Sequence, residues 1–63
     1  MTFQAIVMYD FGAVEDGELA VRVGDIMTVT NTNVGQGWLF GVGVDGREGI
    51  VPEGYVERIP EAM

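Results

Sequence analysis

The sequence contains no cysteine, histidine, serine or lysine, and its only basic side chains are Arg22, Arg47 and Arg58. Without cysteine, neither a disulfide nor a thiolate metal site can staple the fold, and a reducing compartment is compatible with the chain. Without His, Ser, Cys or Lys, most side-chain nucleophiles and the usual general base are missing, which argues against an enzyme. Ten carboxylates leave a net charge of −7. That charge opposes binding to phosphate backbones or anionic lipid and favours cationic partners, such as peptides carrying Arg or Lys. No segment shows the alternating Asp or Asn with a terminal Glu of a calcium loop, so neither a metal nor a cofactor is expected. No apolar run reaches the roughly 18 residues of a membrane span, and no basic region followed by a hydrophobic stretch opens the chain. Neither a span nor a signal peptide is read.

What is present is a set of rings at separated positions: Tyr9-Asp10-Phe11, Trp38-Leu39 and Pro52-Glu53-Gly54-Tyr55. An acidic segment, Glu15-Asp16-Gly17-Glu18-Leu19, lies between the first two. Tyr and Trp pair a flat apolar body with one polar handle, which suits a half-wet recognition surface. The 63 residues make one domain, with an ordered part expected from about residue 3 to about residue 60. A chain of this size buries only about 60% of its unfolded surface, so its stability is marginal. The 48% apolar share nevertheless argues against disorder.

Strands are read from alternation. Ala5 to Met8 is a short apolar run, as in a strand. Glycines at 12, 17 and 24 exclude a helix of useful length, and Leu19, Val21 and Val23 alternate with Ala20 and Arg22. Residues 10–24 therefore read as a long, partly paired hairpin arm. Asp25 to Thr30 follows as a strand, and the turn-forming stretch from Asn31 to Gly37 as a loop. Trp38 to Val44 places Trp38, Phe40 and Val42 on one side and Leu39, Gly41 and Gly43 on the other. Asp45-Gly46 signals a two-residue hairpin, and Arg47 to Val51 returns as a strand that Pro52 ends. Glu53-Gly54-Tyr55 reads as a tight turn, with a short 3-10 turn near 52–55. Val56 to Ile59 is a closing strand, and Pro60 to Met63 a frayed tail. Five strands without a helix predict an all-β barrel or sandwich. Its expected core is Val7, Leu19, Val21, Met27, Val29, Val51 and Val56, with Gly41 admitting a close backbone approach.

These residues resemble the SH3 domain family. Val7-Met8-Tyr9-Asp10-Phe11 is similar to its ALYDY segment, and Glu18-Leu19 followed by Gly24-Asp25 to its arm and next strand. Trp38 stands where the groove Trp is expected. Gly46…Gly49-Ile50-Val51-Pro52-Glu53-Gly54-Tyr55-Val56 resembles the G…G-x-x-P-x-N-Y-V ending. The likeness runs in order over residues 4–59, and the four elements together are far more specific than any one. It implies a five-stranded SH3-like barrel of two packed antiparallel sheets, monomeric and non-enzymatic, that docks proline-rich PxxP peptides with a basic flank. Val7 to Phe11, Thr28 to Asn31 and Val34 to Leu39 are further similar to the N-terminal SH3 domain of sorting nexins that also carry PX and BAR domains, in agreement with a domain beginning at Met1. That likeness implies a cytoplasmic endocytic or membrane-trafficking adaptor, recruited to membranes through other domains, with dynamin-type or WASP-type proline-rich partners. Intersectins and amphiphysin-like proteins are alternative parents.

A polyproline II helix is already extended, so binding it forfeits little chain entropy, and its paired prolines need parallel slots between flat rings. By the resemblance, Tyr9, Phe11 and Tyr55 with Pro52 form two slots, and Trp38 walls a third. Asp16 and Glu18 then take the ligand's Arg or Lys. Core packing is the competing reading of Tyr9, Phe11 and Trp38, turn and plug that of Pro52 and Tyr55, and a solvated loop that of the acidic cluster including Glu15. Asp45 and Glu48 read as plain surface. Exposed ion pairs contribute about 0.2–1 kcal/mol each, whereas loss of a hot-spot ring costs about 2 kcal/mol or more. Trp38 should therefore dominate affinity, at a total of roughly −6 to −8 kcal/mol, or about 1–40 µM.

Three positions depart from the family pattern. Gly54 replaces the usual Asn, whose amide donates to the ligand backbone, a loss of about 1 kcal/mol. Leu39 replaces a second Trp outside the groove, and Phe11 replaces Tyr while keeping the slot. Phe40 has outward parity, and either packs beneath a loop or extends the recognition patch. Gly54 and Phe40 together motivate the alternative of an SH3 barrel that binds a non-PxxP protein surface such as ubiquitin. A nucleic-acid-binding barrel is disfavoured by the charge.

Overall fold

Alternating apolar positions bounded by turn formers become five strands in the computed structural model, which describes residues 2–60. They are β1 (Phe3–Val7), β2 (Ile26–Asn31), β3 (Trp38–Val42), β4 (Glu48–Pro52) and β5 (Val56–Arg58), with a 3-10 turn at Glu53–Tyr55. Hydrogen bonding joins them in the order β4-β3-β2-β1-β5, each neighbouring pair antiparallel. The two packed sheets expected from the sequence are thus parts of one continuous ladder that curls into a half-barrel.

Strand parity sets the core. Ala5 and Val7, Met27 and Val29, Leu39 and Val51 are buried from β1 to β4, joined by Leu19 and Val21 of the arm. Full burial of an aliphatic side chain such as Val7, Met27, Val29 or Val51 is worth about 1.5–3 kcal/mol before ordering entropy. Ala5 and Leu39 join the expected core residues. Val56 is only half-buried and packs against the cluster from outside, because β5 is a short edge strand. At Gly41 a Cβ would collide with the Thr28 carbonyl oxygen and lie 2.8 Å from the Met27 methyl carbon, so the expected close approach is present.

Element ends differ from the sequence reading for local reasons. β1 starts at Phe3, which pairs with Val29, and stops before Met8, which is exposed. β2 lies one residue later than expected at each end. The Asp45-Gly46 turn is wider than a two-residue hairpin. Gly43 N–H donates to Arg47 O at 2.8 Å and Gly46 N–H to Gly43 O at 3.1 Å, leaving Val44, Asp45 and Gly46 in the loop. Gly46 takes φ 87°, the left-handed conformation that closes such loops. β3 therefore ends at Val42 and β4 begins at Glu48. β5 ends at Arg58, although Ile59 N–H still donates to Gln4 O at 2.8 Å. Met1 and the tail residues Glu61 to Met63 lie outside the described residues.

The expected hairpin arm joins β1 to β2. Phe11 and Val21 exchange two backbone hydrogen bonds of 2.9 Å, and Asp10 Oδ1 accepts from Val23 N–H at 2.8 Å. Beyond that bridge the arm turns onto β4. Leu19 N–H donates to Ile50 O and Ile50 N–H to Gly17 O, both at 2.9 Å. The otherwise unpaired edge of β4 is thereby covered, which removes a template for aggregation. Gly49 makes this contact possible, since a Cβ there would lie 2.7 Å from Gly17 O and 2.9 Å from Leu19 N.

Candidate functional site

Four rings from three distant segments meet on one surface. Tyr9 and Tyr55 pack edge to face with centroids 5.7 Å apart at 68°. Tyr55 meets Phe11 at 5.8 Å and 81°, and Phe11 meets Trp38 at 6.1 Å and 66°. The result is an unbroken series, Tyr9–Tyr55–Phe11–Trp38, in which successive rings meet edge to face. Tyr9 is 62% and Tyr55 38% exposed, too open for core residues. Phe11 is half-buried and rests on the core cluster, so core packing holds for it, while its contacts with Tyr55 and Trp38 join it to the ring series. Trp38 is half-buried and outside that cluster.

Backbone hydrogen bonds fix the rings. Met8 N–H donates to Tyr55 O at 2.8 Å, tying the segment before Tyr9 to the 3-10 turn. Glu53 N–H donates to Gly37 O at 2.8 Å and Trp38 N–H to Gly35 O at 3.1 Å, anchoring the loop beside Trp38. Pro52 is half-buried directly opposite Trp38 in the β3–β4 register and caps the 3-10 turn. These clamps are main-chain contacts and leave no side-chain pattern to read in the sequence.

The carboxylates lie on the arm. Glu18 Oε1 accepts from Val14 N–H at 2.8 Å and from Glu15 N–H at 3.0 Å. The Glu15 and then the Val14 donor hold its carboxyl below the ordinary glutamate range, so it stays anionic. Glu18 therefore shapes the arm as well as charging it, a role the sequence reading missed. Asp16 is exposed and adjoins Gly17, which is bonded to Ile50. That bond places the acidic stretch alongside β4, two residues from Pro52. Glu15 is exposed on the same turn. Asp45 forms a solvent-exposed pair with Arg47 at 3.3 Å in the β3–β4 turn, and Arg58 stacks over the Phe3 ring at 4.5 Å. Among the described residues, no group of three or more carboxylates is placed to hold a metal ion, and no helix is long and apolar enough to cross a membrane.

Comparison with known proteins agrees with this geometry. The family described as SH3 domain matches residues 6–53. CD2-associated protein of Homo sapiens and of Mus musculus is 43% identical over 54 residues, 86% of this chain. The chain spans only 8% of the length of those relatives. Among solved structures, the yeast Nbp2p SH3 domain in complex with a peptide from Ste20p is 34% identical with a TM-score of 0.89, covering 100% of this chain and 94% of that one. The C-terminal SH3 domain of myosin IB from Entamoeba histolytica, bound to an EhFP10(GEF) peptide, is 35% identical with a TM-score of 0.84, covering 95% of this chain and 97% of that one. The chain belongs to the SH3 domain family, whose members are non-enzymatic, peptide-binding protein-interaction modules.

Proposed function

We propose that residues 3–60 act as a single module that docks proline-rich PxxP segments carrying an Arg or Lys flank. The observation that carries this reading is the continuous, partly exposed series Tyr9–Tyr55–Phe11–Trp38. Polyproline ridges fit the slots between these rings, with Pro52 lining the one next to Trp38. Asp16 and Glu18 receive the basic flank, and the net charge of −7 steers it toward them. The peptides bound to the Nbp2p and myosin IB domains support a peptide ligand.

The parent is proposed to be a larger cytoplasmic adaptor in endocytosis or membrane traffic, with dynamin-type or WASP-type partners. The sorting-nexin likeness gains no support from the relatives found, which are CD2-associated protein and yeast SH3 proteins. Titration of isotopically labelled protein with an Arg-flanked PxxP peptide, and separately with ubiquitin, tests the reading. Shifts centred on Tyr9, Trp38 and Tyr55 with the peptide are expected. Shifts confined to other residues, or a response to ubiquitin alone, would defeat it.

A further inference from the structure

Exposed aliphatic side chains outside the ring series gather on the outer face of β1 and β2. Ile6 and Ile26 oppose each other in the β1–β2 register, on the outward side that alternates with buried Ala5, Val7 and Met27. Directly opposed residues are close enough for side-chain contact. The pairing continues past the strand ends, where Val7 N–H donates to Asp25 O and Gly24 N–H to Val7 O, both at 2.8 Å. Met8 is thereby set beside the Val23–Gly24 turn. Thr28 opposes Val42 across β2 and β3, so the chain that leaves β3 for Val44 runs toward the Ile26 end of β2. Met8, Val23, Ile26 and Val44 are all exposed, and Ile6 is half-buried. Among the described residues there is no α-helix, and all five strands lie in one sheet, so no second layer covers this face. Grouped apolar surface of this kind marks an interaction site.

Charge decides what covers it. Glu57 opposes Ile6 on β5 and Glu48 opposes Val42 on β4, so an exposed carboxylate stands on each margin. Among the described residues the one ion pair joins Asp45 to Arg47, which leaves both glutamates without a cation. Arg22 and Asp25 share the intervening turn and cancel in charge. A second copy of this chain would bring the same two carboxylates and a net charge of −7, and an anionic lipid surface is repelled likewise. Successive outward positions on β1, Ile6 and Met8, lie about 7 Å apart, close to the roughly 6 Å between residues i and i+4 of an α-helix. We infer that this face docks a basic amphipathic helix of a partner protein, its apolar stripe along β1 and β2 and its Lys or Arg margins on Glu57 and Glu48. The surface shares no residue with the ring series, so the inference goes beyond the proline-rich reading and does not depend on it.

Two short cross-linked helical peptides of equal composition test it, one with Leu along a single face between flanking Lys, the other scrambled. Titrated into isotopically labelled protein, the first should shift the amides of Ile6, Met8 and Ile26 and bind about tenfold more tightly than the second, as shared burial of several aliphatic side chains requires. Ile26→Thr, which keeps a β-branched residue in the strand, should weaken it about fivefold. Glu57→Arg should weaken it about threefold and carries the test should Ile26→Thr fail to fold. An Arg-flanked PxxP peptide should bind all three proteins alike. Equal affinity for the two helices, or shifts centred on Tyr9, Trp38 and Tyr55, overturns the inference. So does self-association of the wild-type protein that Ile26→Thr abolishes, since a second copy is then the occupant. Failure of the PxxP peptide alone overturns the proline-rich reading and leaves this surface standing.

Discussion

Replacing Gly49 with Ala tests whether the arm is held on β4 by direct backbone packing. The new Cβ would sit 2.7 Å from Gly17 O and 2.9 Å from Leu19 N, main-chain atoms that cannot swing aside. The arm and β4 must separate, and the two 2.9 Å hydrogen bonds to Ile50 lengthen first. Each such bond contributes about 0.5–1.5 kcal/mol net. Overpacking a tight contact costs about 1–3 kcal/mol, and the reduced freedom of the unfolded chain returns only about 0.4–1 kcal/mol. A destabilisation of about 2–4 kcal/mol follows, against roughly 3–5 kcal/mol for a whole domain of this size. Gly12→Ala is the control, since a Cβ there meets nothing within 4 Å. Urea denaturation followed by Trp38 fluorescence gives the stabilities, and amide exchange at Leu19 and Ile50 reports the local opening. A Gly49→Ala protein within about 0.5 kcal/mol of the control, with both amides still protected, would refute the reasoning.

Trp38→Ala should weaken binding of an Arg-flanked PxxP peptide by about 2 kcal/mol or more, roughly thirtyfold by calorimetry, and cost less stability than a core truncation because Trp38 stands outside the core cluster. Unchanged affinity would remove Trp38 from the groove. Gly54→Asn should tighten binding by about 1 kcal/mol, because a side chain at Gly54 meets nothing within 4 Å and an amide there can donate to the ligand backbone. No gain would show that the turn does not face the ligand. The lowered Glu18 carboxyl contributes stability to the arm that is fully present above its unfolded value and is lost as pH falls through the folded one. The amide shifts of Val14 and Glu15 should therefore titrate in acid, with a midpoint below the ordinary glutamate value. Glu18→Gln should flatten that curve.

Strand parity is a local property, which is why it was legible. Val7, Met27, Val29 and Val51 lie inside as alternation requires, and Leu39 and Phe40 take opposite sides of β3 for the same reason. Parity says nothing about how many neighbours cover a strand, so Val56 on the three-residue edge strand was overestimated. Asp45-Gly46 occurs in both two-residue and three-residue turns, and only the Gly43–Arg47 pairing decides between them. Alternation alone could not separate groove from core for Tyr9 and Phe11. Exposure separates them in the structure: Tyr9 is open to solvent, whereas Phe11 is seated on the core and also joins the ring series. The docking of the arm on β4 was out of reach, because bonds between residues as distant as Leu19 and Ile50 are made by main chain that every sequence possesses.

That docking makes β4 the strand on which the arm, the core and the ring series meet. Gly49 leaves room for the arm, Ile50 bonds to it, Val51 is fully buried in the core and Pro52 opposes Trp38, so four successive residues contribute four different things. Phe11 couples them further, being seated on the core while touching both Tyr55 and Trp38. Rings seated this way are held rigidly, because moving them means disturbing packing that a marginal domain cannot lose. Tyr9 and Asp16 are exposed and lie outside the core cluster. Changes there should come at little structural cost, whereas changes along β4 should disturb the core, the arm and the ring series together.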